Sequence, residues 1–394
     1  MKAVQFYLPT NIHAGPGVFR SLPGMLPEPA GKTALISDTG ILKTEKAQEL
    51  VSGLRDAGCS LAVFDGVIPN PDEDAAAEAA DFVKTSGAAQ VIGLGGGSSL
   101  DTAKVACALA VNDKPLAAYQ WEGEQFERPP VPLFALPTTS GTGSEVTGVS
   151  VITSRNTKKG VVGPAMYPRA ALIDAELTLS LPPFLTAHTG MDALAHAVEA
   201  FVGKTATPLS DSFAREAISL IGKYLLRVFD NGADIEARHG MALASCMAGI
   251  AFDQSGLGIV HSLASPLCAD LHISHGLAMA FLLPYGMEFN RQVREERIAE
   301  AGALLGAVPE GTPAGDAAGR TVEYVRGLRE RLGLTEAFRE ITRKFDEHKR
   351  AGEAGEDNFG QRAAEVFLMR NNPVQPAPDE CAALFTKMFS EHRV

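Results

Sequence analysis

The 394-residue chain is long enough for two domains, and its 45% hydrophobic and 21% charged residues are ordinary for a globular enzyme. Its formal net charge of -12 argues against nucleic-acid binding, which requires basic patches, and favours small-molecule partners. Five scattered cysteines without a Cys-x-x-Cys pair are typical of reduced thiols. Residues 1–9 lack the apolar core of a signal peptide, and no run of about 18 apolar residues occurs, so we expect a cytoplasmic protein without a membrane span.

Short apolar runs alternate with helical patterns over the first 110 residues. The runs at 33–37, 60–64 and 90–94 predict strands. Helical patterns follow them at 41–57, 72–85 and from Ser98 to about Ala110. This alternation indicates a parallel sheet of the α/β class.

A glycine-rich turn, Gly95-Gly96-Gly97-Ser98, connects the third strand to its helix. Glycines let the backbone approach a ligand, and the N–H groups that open the next helix, near Ser98, Ser99 and Leu100, favour an anion such as a pyrophosphate. The turn is not the usual GxGxxG fingerprint, so a purely structural tight turn is the alternative.

Asp38 follows the first strand, where a carboxylate can accept a hydrogen bond from a ribose hydroxyl and repel a 2′-phosphate. This position predicts NAD(H) rather than NADP(H). The alternative is a structural aspartate that caps the following helix.

A loop rich in hydroxyl groups follows the predicted strand at 131–136. It reads Pro-Thr-Thr-Ser-Gly-Thr-Gly-Ser-Glu over residues 137–145, and its donors could wrap a nucleotide. Further strands are predicted at 151–153 and 171–173. Lys158, between them, is a candidate phosphate or ribose contact, with a solvated surface lysine as the alternative.

The pattern changes near residues 179–183, and nearly everything after Ala187 predicts helix, including 210–228, 237–252, 294–305, 321–332 and 361–369. We therefore predict an NAD-binding α/β domain at 1–183 and an all-helical domain at 184–394 that binds metal and substrate. Loops are expected at 311–319 and 349–357.

Four residues of the second half form a candidate metal site. Asp192 and His196 are spaced i and i+4, so both side chains project from one helical face. His261 and His275 would complete a set of one oxygen and three nitrogen ligands, which suits Fe(II) or Zn(II). Each histidine could instead be a surface residue or a satisfied core residue. His275 runs into the apolar stretch 276–284, where an unpartnered imidazole would be costly to bury.

Together these motifs resemble the iron-containing (group III) alcohol dehydrogenase family, over essentially the whole chain. The resemblance rests on the glycine-rich turn with Asp101 and Lys104, the 137–145 loop, the 190–196 helix and the 261–275 segment. It implies a Rossmann-like NAD(P) domain followed by a helical domain. It implies metal ligation by Asp192, His196, His261 and His275. Phe252 is placed at the substrate pocket, and cofactor contacts are implied for Asn70, Gly97, Ser98, Thr138, Thr139, Thr142 and Lys158. We also expect cofactor contacts from Gly96, Ser99 and Leu179.

One position departs from the family pattern. Members commonly have a second histidine four residues after the third ligand, in a His-x-x-x-His-Pro pattern, and this chain has Ser265 followed by Pro266. That histidine lies near the substrate in the family and helps to move protons. We expect His272, or Ser265 with a water molecule, to take this role.

The resemblance implies an NAD-dependent enzyme that transfers a hydride between nicotinamide and a small primary alcohol or aldehyde, including aldehydes that carry a small anionic group. A bound metal would polarise the carbonyl as a Lewis acid. A glycerol dehydrogenase and a dehydroquinate-synthase-like lyase are alternatives within the same fold, and a non-catalytic metal-binding protein is the alternative from another class. A homodimer or larger homo-oligomer is the expected assembly.

Overall fold

The computed structural model describes residues 4–27, 31–155, 157–309 and 311–393. Contacts divide the chain into two compact units. The sheet unit comprises Tyr7–Leu181 and Gly232–Gly249, and the helical unit comprises Met1–Phe6, Pro182–Asn231 and Ile250–Val394. The return of residues 232–249 to the sheet unit is a long-range feature that the local sequence pattern does not predict.

The described strands all lie in the sheet unit. They are β1 (Asn11–Ala14), β2 (Lys32–Ile36), β3 (Ser60–Phe64), β4 (Gln90–Gly95), β5 (Leu133–Pro137), β6 (Val149–Ser154), β7 (Thr157–Val162) and β8 (Ala170–Ile173). Six of them form a parallel sheet in the order β1-β8-β5-β4-β2-β3, and β6 and β7 form a separate antiparallel hairpin. The predicted parallel α/β sheet is confirmed.

Six α-helices accompany the sheet in the described residues of the first half of the chain. They are α1 (Leu22–Met25), α2 (Thr39–Leu42), α3 (Glu45–Asp56), α4 (Glu73–Ser86), α5 (Gly97–Leu109) and α6 (Leu116–Trp121). One apolar cluster joins α1 and α3 to residues such as Leu35, Ile92 and Phe134. A second joins α4 and α5 to Ala34, Ile36 and Val91. These residues adjoin Leu35 and Ile92 along the same strands, so their side chains point to the opposite face of the sheet. The sheet is therefore buried on both faces, as parallel sheets require.

The rest of the chain is helical, which confirms the second part of the predicted fold class. Its helices are α7 (Pro183–Val202), α8 (Pro208–Asp230), α9 (Ile235–Ser255), α10 (Ile259–Asp270), α11 (His275–Leu304), α12 (Ala314–Arg331), α13 (Thr335–Arg350), α14 (Glu356–Glu365) and α15 (Pro378–His392). Among the described residues no single helix has the length and apolar character to cross a membrane, and α9 and α10 reach that measure only as a pair bent by 103°.

Several boundaries differ from the sequence prediction. The helix predicted at 41–57 is two helices, because α2 ends at Leu42 and Thr44 caps a new helix, α3, by accepting a hydrogen bond from the Ala47 N–H at 3.4 Å. The loop predicted at 311–319 already contains the first turns of α12. The sequence also missed β1, β7 and α6, which lack a clear apolar period.

The direction in which successive strands are added to the parallel sheet reverses next to β2. The chain passes from β2 outward to β3 and then returns to β4 on the other side of β2. In open parallel sheets, ligands bind outside the carboxyl ends of the strands at such a switch point. Asp38 follows β2 and the glycine-rich turn follows β4, so both lie at this point.

Candidate active site

Four side chains of the helical unit converge on one point. Asp192, His196, His261 and His275 each offer one ligand atom, and these four atoms lie within 4.8 Å of one another. The Nε2 atom of His275 lies 3.6 Å from Asp192 Oδ1, and the Nδ1 atom of His196 lies 4.0 Å from the same oxygen. The structure thus brings together all four residues that the sequence singled out.

Three helices supply these side chains. Asp192 and His196 lie one turn apart in the middle of α7, His261 lies in the first turn of α10, and His275 is the first residue of α11. A Cβ atom at Gly276 would lie 2.7 Å from the carbonyl oxygen of His188 on α7. Because glycine has no Cβ, α11 can begin that close to α7 and place His275 beside Asp192.

The donor set fits a first-row divalent cation. Asp192, His196 and His261 are each at least 94% buried, with exposed fractions of 2%, 4% and 6%. Within the described part of the chain, the buried His261 Nε2 atom has no hydrogen-bond partner. Such an orphaned nitrogen is costly unless it meets a ligand, and one carboxylate with three imidazoles is a set that Fe(II) or Zn(II) accepts.

The three predicted catalytic residues have different positions. The ring of Phe252 stacks on His196, with centroids 4.5 Å apart and planes 24° apart, so Phe252 borders the cluster. Ser265 is half-buried on α10, one turn beyond His261. His272 is exposed in the loop before α11, and its backbone has a left-handed φ of 50°. His272 does not belong to the four-residue cluster.

The glycine-rich turn opens α5 in the way that the sequence predicted. Gly95 has a φ of 147°, and Gly97 is the first residue of α5, which no side chain caps. The N–H groups at this end are available to an anion, which the helix dipole also favours. Ser99 is buried in the first turn, and a Cβ at Gly95 would lie 2.4 Å from its Oγ.

The 137–145 loop packs over this turn. A Cβ at Gly97 would lie 2.7 Å from Thr142 Cγ2, and one at Gly96 would lie 3.2 Å from Thr139 Cγ2. The N–H of Thr138 donates to the carbonyl of Gly95 at 3.0 Å. The two segments that the sequence assigned to the nucleotide therefore meet in the folded sheet unit.

Asn70 links two further candidates. Its Oδ1 accepts a hydrogen bond from Lys158 Nζ at 2.6 Å, and its N–H donates to Ser98 Oγ at 3.4 Å. Asn70 has a left-handed φ of 52°, a conformation that asparagine tolerates better than most residues. Lys158 is thus a half-buried residue tied to the turn. Leu179 is also half-buried and ends the short 3-10 helix Ala175–Thr178 that follows β8.

Asp38 caps α2, as the structural alternative proposed. Its Oδ1 accepts from the N–H groups of Gly40 and Ile41, each at 2.9 Å. The other oxygen, Oδ2, lies on the side of Gly95, 3.8 Å from where a Cβ of that residue would be. One carboxylate can therefore cap the helix and present an oxygen to the switch point.

Glu145, the last residue of the loop, is 2% exposed, and burial raises its pKa to about 7. Because this value lies above the ordinary 4.5, the folded chain binds the proton more tightly than the unfolded chain. The stabilisation is complete below about pH 4.5 and is lost as the pH rises through about 7.

We expect Glu145→Gln to remove this pH dependence, because glutamine does not titrate. The unfolding free energy of the variant minus that of the wild type should rise between about pH 5 and about pH 8. Urea unfolding of both proteins at several pH values measures this difference. Glu122→Gln, an exposed glutamate in the same unit, is the control. A Glu145→Gln difference that does not vary with pH would contradict the assignment.

Glu199 was not predicted from the sequence. It lies on α7 three residues after His196, is 3% exposed and contacts Nδ1 of His261. A signal was present, since a glutamate within the apolar run Ala197-Val198-Glu199-Ala200-Phe201-Val202 needs a buried partner.

Comparison with known proteins identifies the class. Residues 9–175 match the family described as iron-containing alcohol dehydrogenase, and residues 186–389 match the C-terminal region of the Fe-containing alcohol dehydrogenase family. The chain belongs to the iron-containing alcohol dehydrogenase family. It is accordingly an NAD-linked oxidoreductase that acts on alcohols and aldehydes, with NAD and a divalent metal as cofactors, as the sequence predicted.

Three individual proteins are similar to this chain over most of its length. The NAD-dependent methanol dehydrogenase of Bacillus methanolicus is 36% identical over 339 residues, which cover 85% of this chain and 89% of that protein. The crystal structure of a 1,3-propanediol oxidoreductase superposes with a TM-score of 0.91 at 30% identity, and the match covers 98% of this chain and 100% of that one. Sulfoacetaldehyde reductase from Bifidobacterium kashiwanohense, solved in complex with NAD+, gives a TM-score of 0.84 at 28% identity and covers 99% and 100%.

Proposed function

We propose that this enzyme interconverts short primary alcohols and aldehydes with NAD(H) at a metal held by Asp192, His196, His261 and His275. The observation that carries the proposal is the convergence of one ligand atom from each residue within 4.8 Å. Fe(II) is the proposed metal, and Zn(II) is the alternative that the same donors accept.

The residues around the metal have separable roles in this proposal. The bound metal supplies a Lewis acid for the carbonyl oxygen, and NADH supplies the hydride. Phe252, stacked on His196, is an apolar wall that excludes water from one side of the ligand set. Ser265, one turn beyond His261, and His272 in the following loop are the candidates for holding and moving the proton.

The cofactor side of the proposal rests on the sheet unit. The N–H groups that open α5 would bind the pyrophosphate, and Asp38 Oδ2 would accept from a ribose hydroxyl. The remaining proposed contacts are Asn70, Gly96, Gly97, Ser98, Ser99, Thr138, Thr139, Thr142, Lys158 and Leu179. In this proposal residues 1–183 form the NAD-binding domain and residues 184–394 the domain for metal and substrate, apart from residues 232–249, which belong to the sheet unit.

The proposed substrates include aldehydes with a small anionic group. Support comes from the likeness to the Bifidobacterium protein, which is named a sulfoacetaldehyde reductase. The likeness to methanol and 1,3-propanediol enzymes supports small uncharged substrates. A matched pair of aldehydes, sulfoacetaldehyde and propanal, therefore separates the two preferences.

We expect protein purified without oxygen and loaded with Fe(II) to oxidise NADH when a short aldehyde is added. Chelation should abolish this activity and renewed metal should restore it. The readout is the loss of NADH absorbance with propanal, acetaldehyde and sulfoacetaldehyde. Protein that binds both NADH and Fe(II) but turns over none of them contradicts the proposal. Activity restricted to glycerol with NAD+ would instead favour the glycerol dehydrogenase alternative.

We further propose that the enzyme is a cytoplasmic homodimer. All five cysteines are buried and outside any disulfide, which accords with a reducing compartment. Light scattering on the purified protein measures the assembly, and a monomer would contradict this part of the proposal.

A further inference from the structure

Glu199 is a buried carboxylate whose two oxygens have different partners. It is 3% exposed and lies on α7 three residues beyond His196. Its Oε1 accepts from the N–H groups of Gly258 at 3.1 Å and Val260 at 2.8 Å. Its Oε2 contacts the Nδ1 atom of His261. A carboxylate is costly to bury, and the two N–H donors together with the imidazole contact compensate the cost.

The first oxygen caps α10. The N-cap residue of this helix is Gly258, which has no side chain to accept from the free N–H groups of the first turn. Glu199 provides that acceptor from another helix, and Asn372 Oδ1 accepts from the Ile259 N–H at 3.1 Å. A negative charge at this end also complements the helix dipole.

The second oxygen determines what the His261 ring can do. A carboxylate that already accepts from two backbone N–H groups is an acceptor toward the ring as well, so the shared hydrogen belongs to Nδ1. The lone pair of a neutral imidazole is then on Nε2. That atom is buried and has no hydrogen-bond partner within the described part of the chain.

We propose that Glu199 is a positioning residue that fixes His261 as the Nδ1–H tautomer, with Nε2 directed at the metal. This inference rests on the proposed function, in which His261 is a ligand. A hydrogen bond from the distal ring nitrogen to a carboxylate orients a ligating histidine and raises its basicity. Glu199 therefore joins two tasks, since it anchors the start of α10 and sets the chemistry of the histidine in the first turn.

Glu199→Gln separates the two tasks. The amide oxygen can still accept from the Gly258 and Val260 N–H groups, while the amide NH2 faces Nδ1 and requires it to be an acceptor. The hydrogen then moves to Nε2, where it opposes metal binding. We expect the dissociation constant for Zn(II) or Co(II) to rise by about 10- to 100-fold, as for other outer partners of metal ligands. The melting temperature of the metal-free variant should change little.

Asn372→Ala is the matched control, because it removes the other acceptor at the start of α10 without touching the His261 ring. It should lower the melting temperature and leave the metal dissociation constant unchanged. Competition with a chromophoric chelator measures the affinities. Equal affinities of Glu199→Gln and wild type would overturn the inference, whereas a wild type that binds no metal would instead overturn the proposed function.

A spectroscopic measurement tests the inference without any variant, in case Glu199→Gln does not fold. The 15N chemical shifts of the His261 ring in metal-free wild-type protein, labelled at histidine, report which nitrogen carries hydrogen. His261→Gln identifies the signal among the nine histidines. We expect a protonated Nδ1 and an unprotonated Nε2. Hydrogen on Nε2 with an unprotonated Nδ1 would overturn the inference.

Discussion

His261→Ala is expected to abolish metal binding and to lower aldehyde turnover by more than about 100-fold. Loss of a residue that only hydrogen-bonds to a metal ligand costs about 10- to 100-fold, and loss of the ligand itself should cost more. The ring centroid of His261 lies 4.7 Å from that of His196 and 5.2 Å from that of His275. Its removal therefore deletes one of the four donors and leaves a cavity beside the others. Metal content and NADH oxidation, measured on the same preparation, check the prediction.

Two comparisons make this result specific. NADH should still bind to His261→Ala, because the glycine-rich turn and its surroundings belong to the sheet unit. His13→Ala, on β1 in the sheet unit, is the histidine control and should keep both metal and activity. If His261→Ala kept its metal and turned over normally, the four-residue site would be wrong.

Gly95→Ala is expected to weaken NADH binding at least about tenfold, which corresponds to about 1.4 kcal/mol. Two physical effects add. A φ of 147° suits glycine and strains an alanine, at a cost of about 1–3 kcal/mol. The new Cβ would also lie 2.4 Å from Ser99 Oγ and 2.6 Å from Ser99 Cβ, so the first turn of α5 must shift. That turn carries the N–H groups proposed to bind the pyrophosphate.

Fluorescence titration with NADH measures this effect. Gly53→Ala, in an exposed part of α3 where a Cβ meets nothing within 4 Å, is the glycine control and should bind NADH normally. Metal binding should be unaffected in both variants, since the ligands lie in the helical unit. Unchanged NADH affinity in Gly95→Ala would remove the turn from the cofactor site.

Local patterns predict the parts of this fold that depend on local interactions. The strand at 60–64 and the α4 helix follow from short apolar runs and from capping by Asp72, whose side chain accepts from the Ala75 N–H at 2.9 Å. The β6–β7 hairpin was missed because Lys158, Lys159 and Gly160 in β7 weaken any strand pattern. Pairing with β6 stabilises this segment, and that contact is not encoded within it.

The site residues also divide into those that local sequence predicts and those that depend on distant contacts. The i and i+4 spacing of Asp192 and His196 is a property of one helix, so the sequence alone places them together. Glu199 lies on the same helix, but its partners begin 59 positions later, at Gly258. Nothing in its neighbourhood indicates which N–H groups it accepts from. Asp38 shows a further limit, because one carboxylate both caps a helix and faces the switch point, whereas the sequence presents these as alternatives.

The sheet unit consists of two segments that are far apart in the chain, and this separation delays its folding during synthesis. Asn11 of β1 pairs with Ala170 of β8, and a Cβ at Gly143 would lie 2.6 Å from the Cα of Gly249. Neither contact can form before its later partner has left the ribosome. The nascent chain therefore carries an unfinished sheet unit until about residue 249 is released, while Asp192 and His196 are already outside. Closing such long loops is slow. The sheet unit, whose synthesis begins first, therefore completes its folding only after part of the helical unit has been synthesised.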